Sequence, residues 1–248
     1  MANRSVAASL ALWTAVVSAA LLALGVAAIH VGLSHPMLGF GALGVSLLVA
    51  LVALCAGLLG LLGTRQSTGR KGRTRAWAGV VYGVVVLGAM GFLLGAARGL
   101  PAINDITTDT VHPPEYVAAK KLGPNAGRDM SYPASFAALQ NKAYPFVQPI
   151  HLDVPPNVAF DRAEAAIETL GFHTDSTNPA MGRIEATDAS TVFQFVDDIV
   201  VRVRPEHAGS VIDIRSRSRN GKGDLGVNAD RIRRLSELIE KPAADGAR

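Results

Sequence analysis

The residues with most chemistry to offer stand in one stretch, Asp197 to Arg231, DDIVVRVRPEHAGSVIDIRSRSRNGKGDLGVNADR. Read as a hairpin whose loop is Pro205 to Ser210, it sets Arg202 opposite Asp213 and Asp198 opposite Arg217, two structural ion pairs. Arg204 then faces Val211 and Val200 faces Arg215, while Val203 meets Ile212 and Val201 meets Ile214 on the oily side. A slip of two residues would put Arg202 against Arg215, a like-charge pair, so the charges select the register. Arg215, Arg219 and Arg231 are left without an evident acidic partner. Guanidinium planes beside free backbone N–H groups suit a phosphate or carboxylate. An anion site built from Arg215, Arg219, Asn228 and Arg231 is therefore one expectation, with Asp224 ordering the loop. The competing expectation is structural, with Arg219 and Arg231 buried and holding loop carbonyls together.

Other motifs reduce to structure. Gly221, Gly223 and Gly226 spell G-x-G-x-x-G between a strand and a helix, but the chain ends 22 residues later. That leaves no room for the second parallel strand of a dinucleotide site. The three glycines read as a tight loop, and no cofactor is expected. Asn104, Asp105, Thr107 and Asp109 offer oxygens at alternate positions. An EF-hand loop beginning at Asp105 needs Gly at its sixth position and Glu at its twelfth, where Thr110 and Tyr116 stand, so local turns are expected and no metal. No G-x-S-x-G occurs, and His112, His151, His173 and His207 are scattered. Asp197 and Asp198, adjacent on a strand, face opposite ways, so no catalytic residue is assigned.

The elements that must position these residues follow from periodicity and charge. All 20 acidic residues lie after Gly99, and six of the 24 basic ones lie before Arg98. The first part is thus basic, and the remainder carries 18 basic against 20 acidic residues. Basicity belongs to membrane-flanking loops here and does not imply nucleic acid. Residues 6–29, 37–63 and 76–97 are apolar runs long enough to cross a hydrocarbon core of about 30 Å as helices. The first is read as an uncleaved span, being longer than a signal-peptide core. Thr64 to Arg75 carries five basic residues and no acidic one, which places it in the cytoplasm with the N-terminus and everything after Arg98 outside. Gly79, Gly83, Gly91 and Gly95 form two i, i+4 pairs. Packing among the three spans explains them; homo-oligomerisation through helix 76–97 is the alternative. Cys55 is the lone cysteine, so no disulfide forms within the chain.

Residues 99–149 read as an extended, Pro-rich connector wrapping the domain surface, with a short helix near Ser135 to Lys142. Residues 150–241 read as an α+β domain, an antiparallel sheet with two helices on one face. Its expected elements are a strand Ile150 to Val154, a helix capped by Asn157 and stopped by Gly171, strands Phe172 to Asp175, Arg183 to Asp188 and Thr191 to Val196, the hairpin, and a helix from about Asn228 to Glu240. Residues 242–248 should be a disordered tail.

INDITTDT (Ile103 to Thr110), RIEATD (Arg183 to Asp188), FVDDIVVRVRP (Phe195 to Pro205) and DIRSRSRNGKGDLGVNADRIR (Asp213 to Arg233) resemble the bacterial family catalogued as domain of unknown function 1499. The likeness covers roughly residues 100–240 and implies N-terminal membrane spans, but no activity. The expected function is that of a non-enzymatic, multi-pass inner-membrane protein, its periplasmic domain binding an anionic ligand or an envelope protein partner. The alternative is an enzyme acting on an anionic cell-envelope substrate, with arginines orienting it and an Asp as base.

Overall fold

The structure is a computed structural model that describes residues 4–241, so the expected tail lies outside the described residues. The chain divides at Arg98 and Gly99 into two compact units. The N-terminal one is three helices, α1 (Val6–His30), α2 (Pro36–Gly63) and α3 (Arg73–Ala96), each long and apolar enough to cross a membrane. Their ends differ from the sequence reading by up to three residues. Small side chains let the backbones approach. A Cβ added at Gly79 would lie 2.8 Å from Ala53 O, and one at Gly83 2.6 Å from Leu54 Cβ. Gly91 and Gly95 have open space instead. Ser18 donates to Ser46 O at 2.7 Å and accepts from Tyr82 at 2.9 Å, satisfying its hydroxyl between helices.

The C-terminal unit is a six-stranded antiparallel sheet: β1 (Asp105–Thr107), β2 (Ile150–Leu152), β3 (His173–Asn178), β4 (Arg183–Ala189), β5 (Val196–Glu206) and β6 (Gly209–Ser218). The order is β1-β6-β5-β4-β3, and β2 shares the outer edge of β6 with β1. Three helices accompany it: α4 (Phe136–Ala143), α5 (Pro156–Thr169) and α6 (Val227–Glu240). The hairpin has the expected register, with Asp198 opposite Arg217, Val200 opposite Arg215, Arg202 opposite Asp213 and Val203 opposite Ile212. The loop is tighter than six residues. Pro205 pairs with Ser210 and Glu206 with Gly209, leaving His207 and Ala208 to turn, and His207 takes φ 49° to do it.

One sheet face carries the oily core. Ile199, Val201, Ile212 and Ile214 pack beneath Phe160, Ala163 and Ile167 of α5 and Ile232, Leu235 and Ile239 of α6. Two local expectations are corrected. Pro155 and Pro156 begin α5, with no side-chain cap from Asn157; the fixed φ of Pro suits a first turn whose N–H groups lack partners. Thr191 to Gln194 form a turn instead of a strand, closed by Ser190, whose N–H donates to Phe195 O at 2.8 Å.

The opposite face is also covered. The Pro-rich segment read as a connector supplies β1 to the sheet and then crosses the charged face, burying Tyr116, Ala119 and Met130 against Val200. On α4, Gln140 closes the edge strand: its amide donates to Thr107 O at 2.7 Å and accepts from Thr107 N at 2.9 Å.

Candidate functional site

Strand parity decides where the arginines go. On β6, Asp213, Arg215 and Arg217 point to the face under the Pro-rich segment, followed by Arg219 just past the strand. Ser216 and Ser218 point to the helices. The four residues expected to converge on an anion are therefore divided. Arg215 and Arg219 lie on the segment side, Asn228 and Arg231 on the helix side.

The expectation that three arginines lack acidic partners is overturned by carboxylates distant in sequence. Arg215, 2 % exposed, holds Asp105 through both Nε (2.8 Å) and Nη2 (2.7 Å), and also donates to Pro114 O and Met130 O. Tyr116 and Tyr132 place their rings 4.8 and 5.7 Å from this guanidinium. Burial opposes its charge, but the hydrogen bonds and field of Asp105 win and hold its pKa above the usual value. Arg219 takes Asp198, Nη2 donating at 2.7 Å. Asp198 thus leaves Arg217, its register partner, and that expected ion pair is not formed. Arg202 does engage Asp213 at 2.8 Å as expected, joined there by Arg204 at 2.8 Å and by Asp109 on the other side of Arg202.

On the helix face Arg231 sits between two carboxylates, with Nη2 2.8 Å from both Asp188 and Asp197. Its Nη1 donates to Asn228 Oδ1 at 2.8 Å and to Ser216 Oγ at 3.0 Å. Burial lifts the Asp197 carboxyl above the ordinary range despite that arginine. Asp197 and Asp198 do face opposite ways, each serving a different arginine. Asp224 orders the glycine loop as expected. Its carboxylate accepts from Gly226 N at 2.9 Å and Asn228 N at 2.8 Å, capping α6, while Gly221 and Gly226 take φ of 85° and 86°. Gly223 lies close under the chain, where a Cβ would meet Ala102 Cα at 3.2 Å.

A built anion cradle does exist, but a protein carboxylate fills it. Glu185, 2 % exposed on β4, accepts from the backbone N–H groups of Val117, Ala118 and Ala119 at 2.9–3.0 Å. Asp109 accepts from Val111 N and His112 N, the turn expected of that segment. Sequence reasoning missed Asp105, Glu185 and Asp188 as counter-ions, and Asn125, whose amide donates to Asp198 at 2.9 Å. β1 is three residues long, too short for period two to register.

Residues 105–239 match the family described as Protein of unknown function (DUF1499). The chain belongs to this family. The DUF1499 match opens on the first residue of β1 and closes inside α6, so it takes in the Pro-rich segment as well as the sheet it covers. A comparison with curated proteins finds no match.

Proposed function

We propose that this DUF1499 protein is a multi-pass protein of the cytoplasmic membrane whose C-terminal unit works by binding, on the extracytoplasmic side, an anionic ligand or an envelope protein partner. The anchoring rests on the three apolar helices. The orientation rests on Arg65 to Arg75, five basic residues in the loop after α2 and the first turn of α3 with no acidic one among them. Binding is favoured over catalysis by one observation: the buried carboxylates of the sheet are already engaged. Asp105, Asp197, Asp198 and Asp213 each hold a guanidinium within 2.8 Å, and Glu185 is taken up by backbone N–H groups. A carboxylate acting as general base needs a free oxygen directed at its proton, and Asp213 Oδ1, which has no hydrogen-bond partner among the described residues, is shut away from solvent.

The test is a pair of reporters fused after Lys241. A reporter active only in the periplasm should work and one active only in the cytoplasm should stay silent. The reverse pattern would overturn the orientation and, with it, the extracytoplasmic ligand.

A further inference from the structure

Arg217 differs from Arg215, the other arginine of β6. Asp198, its cross-strand partner, turns to Arg219, and Asp105, its partner on β1, turns to Arg215. Among the described residues its one ion contact is Asp105 Oδ2, 3.8 Å from Nε, and Nη1 is buried with no hydrogen-bond partner. A second under-used guanidinium reaches the same place from the covering segment. Arg128 donates from Nη1 to Asn125 Oδ1 at 3.1 Å and forms no ion pair among the described residues. Asn125 in turn donates to Asp198 Oδ2 at 2.9 Å, and Asp198 Oδ1 holds Arg219 at 2.7 Å. Arg128, Arg217 and Arg219 therefore stand about one fully engaged carboxylate. Burial, then the charges of Arg217 and Arg219, depress the pKa of Arg128, against the pull of Asp198. Two other carboxylates lie nearby. Asp175 is hydrogen-bonded to Thr187 and pushed upward by burial, and exposed Asp129 is held low by hydrogen bonds from Ser131, then by the charges of Arg217 and Lys120.

We propose that Arg128, Arg217 and Arg219 form a site for a phosphate-type oxyanion, either inorganic phosphate or a phosphate monoester. A carboxylate offers two coplanar oxygens and one charge, which a single guanidinium fork satisfies. A phosphate monoester carries three terminal oxygens and about −1.5 to −2 charges at neutral pH, enough to join two forks from different elements. The site rests on the binding reading of this unit, whose ligand class it names.

The test uses the full chain in detergent. Calorimetric titration with inorganic phosphate should show saturable binding that chloride at equal ionic strength does not reproduce. Arg128→Gln and Arg217→Gln should each weaken it about tenfold or more, since each removes charged hydrogen bonds to the anion. Arg233→Gln should bind as the parent does, because that guanidinium is exposed and held within α6 by Asp230 and Glu237. Arg217→Gln disturbs a partly buried group; should it fail to fold, Arg128→Gln decides, since among the described residues Arg128 hydrogen-bonds to Asn125 alone. A parallel titration with short-chain phosphatidic acid in phosphatidylcholine micelles identifies the source. Binding there without a response to inorganic phosphate assigns the site to a lipid headgroup, and binding of both assigns it to soluble phosphate as well. Silence of the parent chain toward both, or unaltered binding by Arg128→Gln, overturns the site. With the reporter result intact, that failure would leave the membrane-anchored reading standing.

Discussion

Arg215 and Asp105 show what a charge inside this domain depends on. Both are at most 2 % exposed, and the pair is closed by two hydrogen bonds, two carbonyls and two aromatic rings. Desolvating two ions costs several kcal/mol each, so the pair contributes little net stability while each member requires the other. Arg215→Met in the full chain should therefore cost roughly 3–5 kcal/mol, because it leaves Asp105 buried without its two hydrogen-bonded donors and with only Arg217, 3.8 Å away, as a cation among the described residues. Arg215→Met combined with Asp105→Leu should recover most of that loss, since neither ion then remains. Amide hydrogen exchange of β6 reads both variants. A single variant as protected as the parent would mean that water reaches Asp105 readily, contrary to the enclosure described here. The same pair shows why the site was only partly legible. Arg215 and Asp105 are 110 residues apart, and nothing in the local pattern of either names the other.

At the scale of elements, legibility followed the length of the repeat. β5 and β6 run for 11 and 10 residues, long enough for alternating side chains to set faces, partners and register in the sequence alone. α6 was equally plain, with Ile232, Leu235 and Ile239 buried at helical spacing. β2 falls within the strand expected over Ile150 to Val154, whereas β1, three residues long, takes its place from tertiary pairing with β6. The Pro-rich segment hid its role for a related reason. It has no repeat, and it covers the charged face through Tyr116, backbone N–H groups and carbonyls, so composition marks it as a linker although it is part of the domain. The start of α6 gives a test at this scale. Its N-cap residue is Gly226, which offers no side chain, so Asp224 alone caps the first turn. Asp224→Ala should cost about 1 kcal/mol, read as a lower melting temperature with the phosphate response retained. An unchanged melting temperature would show that solvent satisfies those N–H groups equally well.

For the molecule as a whole, the chain separates two kinds of packing. The C-terminal unit buries ions in pairs beneath a covering segment, whereas the N-terminal unit joins three apolar helices through close backbone contact. In a bilayer or micelle the lipid chains are as apolar as leucine, so helix association depends on this close fit. The glycines of α3 divide accordingly. Gly79 is occluded on two sides, by Ala53 O at 2.8 Å and Ala11 Cβ at 2.7 Å from an added Cβ, whereas Gly91 meets nothing within 4 Å. Gly79→Val should force the helices apart at a cost of about 1–3 kcal/mol, seen as a lower melting temperature of the detergent-solubilised chain. Gly91→Val should leave that temperature unchanged. The second variant also bears on the use of helix 76–97 as a contact between copies. If Gly91 and Gly95 serve such a contact, light scattering should find the parent chain oligomeric and Gly91→Val dissociated at the same protein concentration. A monomeric parent would confine the work of these helices to one chain. Equal destabilisation by both valines would sink the division of the glycines itself.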